Sequence, residues 1–292
     1  MELPLVVATD GSSPSLAAVD WAADEATRHG RELRIVHASL WERYENVVPD
    51  FRTGRPPLQT LAEHIVASAA ERAGLRQPAL KVTTEILPQE AEAGLVQESY
   101  EAFAVVTGHR GRGGFAGLLL GSVSLAVASR AHCPVVVVRG PHTAWEDTAR
   151  PVVLGVGDLT EGSAAHDFAF REAAVRRSPL LAVRSWRSPA TQTLDHPLFG
   201  ENASGRVHEE RAASVLTDVL YGPQRDHPEV EVRRRVEEGP PHRVLLERAE
   251  EGALLVIGAP RRHGHTGLQL GRVSHAALHH AACPVVVVPA AS

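Results

Sequence analysis

The chain contains the segment GHRGRGGFAGLLLGSVSLAVASRAHCPVVVV at residues 108–138, and it repeats it as GAPRRHGHTGLQLGRVSHAALHHAACPVVVV at residues 258–288. Extended to residues 101–140 and 251–290, the two copies align without a gap at an offset of 150 residues. The conserved positions include the Cys-Pro-valine run and several glycines. The repeat indicates that one fold occurs twice in the chain.

The length of the chain agrees with this interpretation. At 292 residues it is long enough for two domains, each near the commonest domain size. We predict a first domain at residues 1–140 and a second at 151–292. The stretch 139–150 contains glycine, proline and mixed polar residues, and we interpret it as the linker.

Short apolar runs alternate with helical patterns along both halves. The first half has predicted strands at 3–8, 33–38, 81–87, 103–107 and 134–138, and helices at 13–30, 58–73, 88–100 and 120–130. The second half has predicted strands at 152–156, 180–184, 229–236, 253–257 and 284–288, and helices at 161–177, 204–221, 240–250 and 270–280. Residues 41–57 and 186–203 are predicted loops. This alternation predicts an α/β fold with parallel sheets that helices cover on both faces.

The composition argues against several classes of function. The formal net charge of −5 offers no general surface for nucleic acid, and no apolar run approaches the roughly 20 residues of a membrane span. Lys81 is the single lysine, so no Gly-Lys-Ser/Thr, and hence no Walker A loop, exists. We expect Cys133 and Cys283, each before a valine strand, to be buried and reduced. Because no signal peptide is visible at residues 1–9, we expect a cytoplasmic protein.

The first copy of the repeat contains the pattern G-x2-G-x9-G-S at residues 108–122, between a predicted strand and a predicted helix. Glycines let backbone N–H groups approach an anion, and a helix N-terminus adds a partial positive charge. The Ser122 hydroxyl can donate to a phosphate oxygen, while Arg110 and Arg112 can supply positive charge. The pattern therefore favours a phosphate site. The alternative is a tight turn whose glycines only permit close packing.

The same spacing, G-x2-G-x9-G-[ST], is the nucleotide-loop signature of the universal stress protein family, which both halves resemble. Residues 6–12 (VVATDGS) look like that family's first strand and acidic turn. Residues 35–38 (IVHA) resemble its second strand, and residues 133–138 (CPVVVV) resemble its last. The resemblance implies a tandem member with two doubly wound domains. Each would be a five-stranded parallel sheet in the order 3-2-1-4-5 with helices on both faces.

The resemblance also implies a set of nucleotide-binding residues. Members that bind ATP hold adenosine at the tips of the first two strands, which here means Ala8, Thr9, Asp10 and Ala38. Asp10 would accept from the ribose, and Ala38 would lie at the adenine edge. The triphosphate would lie on Thr107, Gly108, Arg110, Gly111, Gly121, Ser122, Val123 and Ser124. Viewed alone, Asp10 can equally be a turn residue that caps the following helix.

The second copy departs from the pattern in its loop. Arg261 and Arg272 replace a glycine and the serine, and Pro260 removes an amide donor. Asp158 matches the acidic residue of the first strand tip only after a two-residue shift, and Leu159 then replaces the next glycine. Either this half has lost its ligand or its guanidinium groups bind a phosphate in another way. We expect one competent nucleotide site in the chain.

Three functions are compatible with these observations. The leading hypothesis is a stress-response regulator that binds ATP, with Mg²⁺, in its first domain and hydrolyses it slowly at most. The alternative is a nucleotide-independent, dimerising interaction scaffold of the same fold. A nucleotide-cleaving enzyme would need catalytic groups, and none is identifiable. The resemblance further implies a pseudo-dimer of the two domains along 135–138 and 285–288, and a homodimer is compatible with it.

We assign no catalytic or metal-binding residue from the sequence. His275 and His279 are four residues apart and can share a helix face, but no Cys or acidic partner has a suitable spacing. We therefore interpret them as surface histidines. No Gly-x-Ser-x-Gly nucleophile motif is present. The expected ligand is an adenine nucleotide, and neither nucleic acid nor a membrane is an expected partner.

Overall fold

The computed structural model of the protein describes residues 2–40, 57–111, 119–147, 149–157, 163–187, 203–259 and 270–290. Contacts between Cα atoms divide the chain into two compact units, one running up to Arg139 and one from Gly140 onward. No helix in the described ranges has both the length and the apolar character needed to cross a membrane.

The first unit alternates strands and helices, as the apolar pattern predicts. Its strands are β1 (Leu5–Ala8), β2 (Leu33–Ala38), β3 (Val82–Leu87), β4 (Ala104–Gly108) and β5 (Val135–Val138). Its helices are α1 (Ser13–Arg28), α2 (Pro57–Arg76), α3 (Ala91–Glu98) and α4 (Ser122–Arg130). Residues 41–56, which make up nearly all of the first predicted loop, lie outside the described residues.

All strand pairs of the first unit are parallel, and their order is β3-β2-β1-β4-β5. The direction of winding reverses after β3, so right-handed crossovers place α1 and α2 on one face of the sheet and α3 and α4 on the other. The contacts agree, because α1 packs on α2 and α3 packs on α4. The predicted fold class and strand order are confirmed.

The sheet is buried because helices cover both of its faces. Val105, Val106 and Val137 have no exposed surface, and Trp21 of α1 is one of the largest fully buried side chains. Cys133 is free and buried, and burial raises the pKa of its thiol to about 12. A thiol in this environment is unreactive.

The structure corrects the predicted end of α2. The sequence predicts a helix that ends at residue 73, before Gly74, but α2 continues to Arg76. The guanidinium of Arg76 donates from Nε and Nη2 to the two carboxylate oxygens of Asp24 on α1, at 2.8 and 2.7 Å. A bidentate, charge-assisted pair of this kind favours helical geometry at Arg76 enough to offset the weak helix propensity of Gly74.

The second unit repeats the architecture. Its strands are β6 (Val152–Gly155), β7 (Leu180–Trp186), β8 (Val232–Glu238), β9 (Leu254–Ala259) and β10 (Val285–Pro289), and its helices are α5 (His142–Glu146), α6 (Ser163–Arg176), α7 (Ala203–Asp226), α8 (Pro241–Ala249) and α9 (Arg272–His280). All of its strand pairs are parallel, in the order β8-β7-β6-β9-β10.

Some predicted bounds in this unit are wrong for identifiable reasons. The predicted linker contains the short helix α5, and its Trp145 is buried. The sequence places β8 at 229–236, but β8 runs to Glu238 because it pairs with β7 as far as Trp186. Most of the second predicted loop, residues 188–202, lies outside the described residues.

The strand register shows how the two units correspond. Leu5 pairs with Leu33 in the first unit, and Val152 pairs with Leu180 in the second. Both members of the second pair lie 147 residues after their counterparts, whereas β4 and β9 correspond at 150. The offset of 150 therefore does not apply to the first two strands of each unit.

This register aligns Gly30 with Arg177, and both adopt a left-handed backbone, with φ of 62° and 53°. That conformation costs a residue with a Cβ about 1 kcal/mol, and Arg177 is exposed. We expect Arg177→Gly to raise the free energy of unfolding by about 1 kcal/mol, and Gly30→Ala to lower it by a similar amount. Denaturant titration measures both. A loss of stability on Arg177→Gly would contradict the expectation.

Candidate functional site

The tip of β1 forms a rigid, hydrogen-bonded turn. Asp10 Oδ1 accepts from the Ser12 amide at 3.0 Å, and Thr9 Oγ1 accepts from the Gly11 amide at 3.2 Å. Gly11 has a φ of 75°, which favours glycine at this position. Asp10 is therefore a turn residue, but it does not cap α1, because the N-cap is Ser12, whose Oγ accepts from the Ser15 amide.

The three glycines of the loop pattern have different surroundings. A Cβ on Gly108 would lie 2.6 Å from the backbone oxygen of Pro14, at the start of α1. A Cβ on Gly111 would lie 2.6 Å from Asp10 Oδ2. The nearest atoms to a Cβ on Gly121 would be 3.7 Å away, an ordinary contact. Gly108 thus allows two backbones to pack, Gly111 allows the loop to approach the carboxylate, and Gly121 has room for a Cβ without a clash.

Hydrogen bonds fix the N-terminus of α4 against the end of β4. Ser124 donates from Oγ to the backbone oxygen of Gly108 at 2.8 Å, and the Gly121 amide donates to the backbone oxygen of His109 at 2.8 Å. Ser122, the first residue of α4, is exposed. Ser124 therefore positions the helix, whereas the hydroxyl of Ser122 is accessible to a ligand.

The tips of β1, β2 and β4 enclose a cavity of about 450 Å³ with α3 and α4. This volume lies within the range of about 300–1,000 Å³ for small-molecule sites. The location is the expected one, since ligands of open α/β sheets bind at the carboxyl ends of strands where the winding reverses. The twelve residues predicted as nucleotide-binding all line it: Ala8, Thr9, Asp10, Ala38, Thr107, Gly108, Arg110, Gly111, Gly121, Ser122, Val123 and Ser124. Arg112 lies outside the described residues.

Six residues outside the predicted binding set also line the cavity, namely Ser15, Val36, His37, Ala91, Leu95 and Leu120. Of these, only His37 is expected from the sequence near the ligand crevice, as a residue of the second strand. Ala91 and Leu95 are four residues apart on α3, so helical periodicity could have placed them on one face. Ser15 lies on α1 and could not be assigned to the cavity from spacing alone. Val36 and His37 directly precede a predicted site residue on β2.

The cavity has polar groups near the start of α4 and an apolar wall toward β2, but the division is incomplete, because Leu120 and Val123 lie near α4 and His37 lies on β2. Gly111, Gly121, Ser122 and Arg110 lie near the start of α4, while Val36, Ala38, Ala91 and Leu95 supply apolar wall toward β2. Among the described lining residues, Asp10 and Arg110 are the two charged side chains other than histidine. This arrangement fits a ligand with an anionic part and a flat apolar part.

Two buried polar atoms near the end of β4 have no hydrogen-bond partner in the part of the chain that the structure describes. Thr107 is 3% exposed, and its Oγ1 has no hydrogen-bond partner there. The buried Nε of Arg110 also lacks one. An unpaired buried polar group typically costs about 1–3 kcal/mol.

His109 follows β4 but does not line the cavity. Burial is the main factor that lowers its pKa, and the nearby Arg139 and Arg110 lower it further, against the hydrogen bond to the backbone of Val138. We therefore treat the ring as neutral at neutral pH. The positive charge at this strand tip then comes from arginine.

The corresponding strand tips of the second unit lack these groups. By register, Val156 and Gly157 take the places of Thr9 and Asp10, and Ile257 takes the place of Thr107. Asp158 therefore does not correspond to Asp10, which corrects the two-residue shift. Asp158, Leu159, Pro260 and Arg261 lie outside the described residues. The sequence nevertheless shows that both partners of the Asp10–Gly111 contact have changed, to Gly157 and Arg261.

Comparisons with known proteins agree with the fold. The model of the universal stress protein family matches residues 3–139 and 148–289. A universal stress protein of Mycolicibacterium smegmatis is 35% identical over 298 residues, covering 98% of this chain and 97% of that one. One from Mycobacterium tuberculosis is 32% identical over 294 residues, covering 98% and 96%. The crystal structure of a universal stress protein from Archaeoglobus fulgidus has a TM-score of 0.66 at 18% identity, covering 98% of each chain, which supports the fold alone.

Two matches to the family model, relatives above 30% identity over nearly the full length, and the parallel 3-2-1-4-5 sheets lead to one conclusion. The chain belongs to the universal stress protein family and contains that family's domain twice.

Proposed function

We propose that the protein is a stress-response regulator that binds ATP in the cavity of its first unit. The observation that carries the proposal is the cavity itself. It brings Asp10, Gly108, Gly111 and the N-terminus of α4 together at the adjacent tips of β1, β2 and β4. Backbone amides and a helix N-terminus suit phosphates, and a carboxylate suits ribose hydroxyls. The apolar end suits a purine base.

We infer the orientation of the nucleotide from the polar groups near the start of α4 and the apolar wall toward β2. The phosphates would lie against Gly111, Gly121 and Ser122, with Arg110 supplying positive charge. The ribose would lie near Asp10, and the base near Ala38. Mg²⁺ would enter with the triphosphate, since this ion is commonly held by phosphate oxygens and only one or two carboxylates.

We propose binding rather than efficient turnover. One oxygen of Asp10 is already engaged with the Ser12 amide. None of the described lining residues has a geometry that assigns it as the base for hydrolysis. Bound nucleotide would instead shift the population of conformations or the choice of partner, in proportion to its differential affinity for them. The cytoplasmic location, the pseudo-dimer of the two domains and a homodimer stay predictions from the sequence.

Thermal unfolding with and without nucleotide tests the proposal. A ligand present at 100 times its Kd stabilises the folded state by about 2.7 kcal/mol. We therefore expect ATP with Mg²⁺ to raise the Tm of the intact protein, while inorganic phosphate at the same concentration leaves it nearly unchanged. An unchanged Tm at millimolar ATP would favour the nucleotide-independent scaffold.

A further inference from the structure

The outer edge of β3 presents unpaired backbone groups. β3 lies at one edge of the first unit's sheet, and within the described ranges it pairs with a single strand, β2. The amide of Leu33 donates to the backbone oxygen of Lys81 at 2.9 Å, so the odd-numbered residues of β3 face β2. Because hydrogen bonding to a neighbour alternates along a strand, the even-numbered residues point outward: Val82, Thr84 and Ile86. A strand edge of this kind can pair with another chain.

Two opposite charges lie four residues apart along this edge. Lys81 is the single lysine of the chain, and its side chain is 76% exposed. The side chain of Glu85 is 50% exposed. Side chains alternate between the faces of a sheet, so both share one face with Thr83, which lies midway between them. A charge on an edge strand usually discourages pairing, unless the incoming strand brings the opposite charge.

A second β3 strand brings the opposite charge when it pairs antiparallel about Thr83. Thr83 then lies opposite its own copy, and Val82 exchanges two hydrogen bonds with Thr84 of the second copy. Lys81 lies opposite Glu85 of the second copy, in a non-hydrogen-bonded pair, where side chains approach most closely. Twofold symmetry forms each of these contacts twice.

The new ion pairs would extend ion pairs that exist within each copy. Lys81 lies 2.7 Å from Glu32, and Arg34 lies 3.6 Å from Glu85. Pairing about Thr83 would place these groups in a row of alternating sign. Networks of several charges contribute more than the isolated surface pairs that they replace.

The corresponding edge of the second unit is less suited to pairing with itself. β8 carries three consecutive arginines, Arg233, Arg234 and Arg235. At full overlap of two β8 strands, Arg233 would lie opposite Glu237, but Arg235 would lie opposite its own copy at the centre. Like charges directly opposite each other destabilise a strand pair. The charge pattern therefore favours β3 as the edge that receives a second copy.

We propose that β3 is a dimerisation surface on which a second copy of the chain adds its own β3, antiparallel about Thr83. Such a dimer is closed, because both β3 edges are used in the same contact. It does not require a bound nucleotide and is independent of the proposed function.

Charge reversal tests the register, with sedimentation equilibrium of the full chain as the measurement. The intact protein should show a monomer–dimer equilibrium that shifts toward dimer as its concentration rises. Lys81→Glu and Glu85→Lys each place like charges opposite each other twice per dimer, so each should weaken dimerisation about tenfold or more. An equimolar mixture of the two variants restores opposite charges at both positions. It should dimerise about as tightly as the intact protein.

A proline substitution tests the backbone contact. Thr84→Pro removes an outward amide, and with it two hydrogen bonds per dimer, so dimerisation should weaken about tenfold or more. Because this amide does not face β2, the fold should tolerate proline there. Arg234→Pro is the matched control, since Arg234 pairs with Ala182 as Thr84 pairs with Ile35. It should leave dimerisation unchanged. If circular dichroism shows that Thr84→Pro does not fold, the charge-reversal variants decide the question.

Three results would overturn the proposal. The first is a protein that stays monomeric at every concentration. The second is a dimer that the charge reversals leave intact, or one that Arg234→Pro weakens while Thr84→Pro does not, because the interface then lies elsewhere. The third is a mixture of Lys81→Glu and Glu85→Lys that dimerises no better than either variant alone, which would exclude pairing about Thr83.

Discussion

Replacing Gly108 with alanine is expected to lower the free energy of unfolding by about 3 kcal/mol or more. The added Cβ would lie 2.6 Å from the backbone oxygen of Pro14 and 2.9 Å from the backbone nitrogen of Ser15. These atoms belong to the first turn of α1 and cannot rotate away as a side chain can. The strand tip and the helix would have to separate, which disrupts the unit that carries the cavity.

Gly121→Ala is the matched control, because a Cβ there makes only ordinary contacts at 3.7 Å. Its free energy of unfolding should stay within about 1 kcal/mol of the wild-type value. Denaturant titration of both variants separates the packing role from a ligand role. If Gly108→Ala were as stable as Gly121→Ala, the close approach of β4 to α1 would not be the reason for glycine at this position.

Gly121→Val is expected to weaken ATP binding about 100-fold or more while leaving stability nearly unchanged. The backbone of Gly121 is extended, with φ −76° and ψ 150°, a conformation that valine adopts readily. Because Gly121 lines the cavity, the branched side chain would take up room through which phosphate would reach the amides at the start of α4. Hydrogen bonds to a charged group contribute about 1.5–3 kcal/mol each, so losing two accounts for the factor.

The equivalent substitution in the second unit is the control. Gly271 also precedes its helix in an extended conformation, with φ −60° and ψ 161°, and a Cβ there meets no atom within 4 Å. Gly271→Val should leave ATP affinity unchanged, as calorimetry can establish. Equal losses in the two variants, or no loss in Gly121→Val, would be inconsistent with a phosphate site at the start of α4.

The fold was largely predictable because its signals are local. Alternating apolar runs and helical patterns indicated the order of the elements, and the repeated valine strands indicated two copies. The bounds that failed depend on distant partners. α2 passes Gly74 because Arg76 pairs with Asp24, and β8 reaches Glu238 because β7 extends to Trp186. Neither contact can be inferred from residues near in sequence.

The candidate site was predictable as a set of residues but not as a set of roles. The loop spacing identifies Gly108, Gly111 and Gly121 equally, yet a Cβ would clash with α1 at the first, lie against Asp10 at the second and make only ordinary contacts at the third. These differences arise from backbones that approach across the sheet. His37 directly precedes a predicted residue, but its hydrogen bond joins it to Thr9, 28 positions earlier in the chain.

The correspondence between the units was predicted incorrectly at the first strand tip. The offset of 150 holds from the third strand onward, but the second and third strands are 49 residues apart in the first unit and 52 in the second. Those three extra residues put Gly157, not Asp158, at the place of Asp10. The strand pairs reveal these extra residues. The sequence repeat does not, because it covers only residues 101–140 and 251–290, in the last third of each half.

The number of ATP molecules bound per chain at saturation tests the central claim most directly. Calorimetric titration of the intact protein with ATP and Mg²⁺ should give one molecule per chain, because the first unit has Asp10, Thr107 and Ser122 where the second has Gly157, Ile257 and Arg272. A stoichiometry of two would contradict the claim that the second unit lacks a competent site. The absence of any binding at millimolar ATP would contradict the account as a whole.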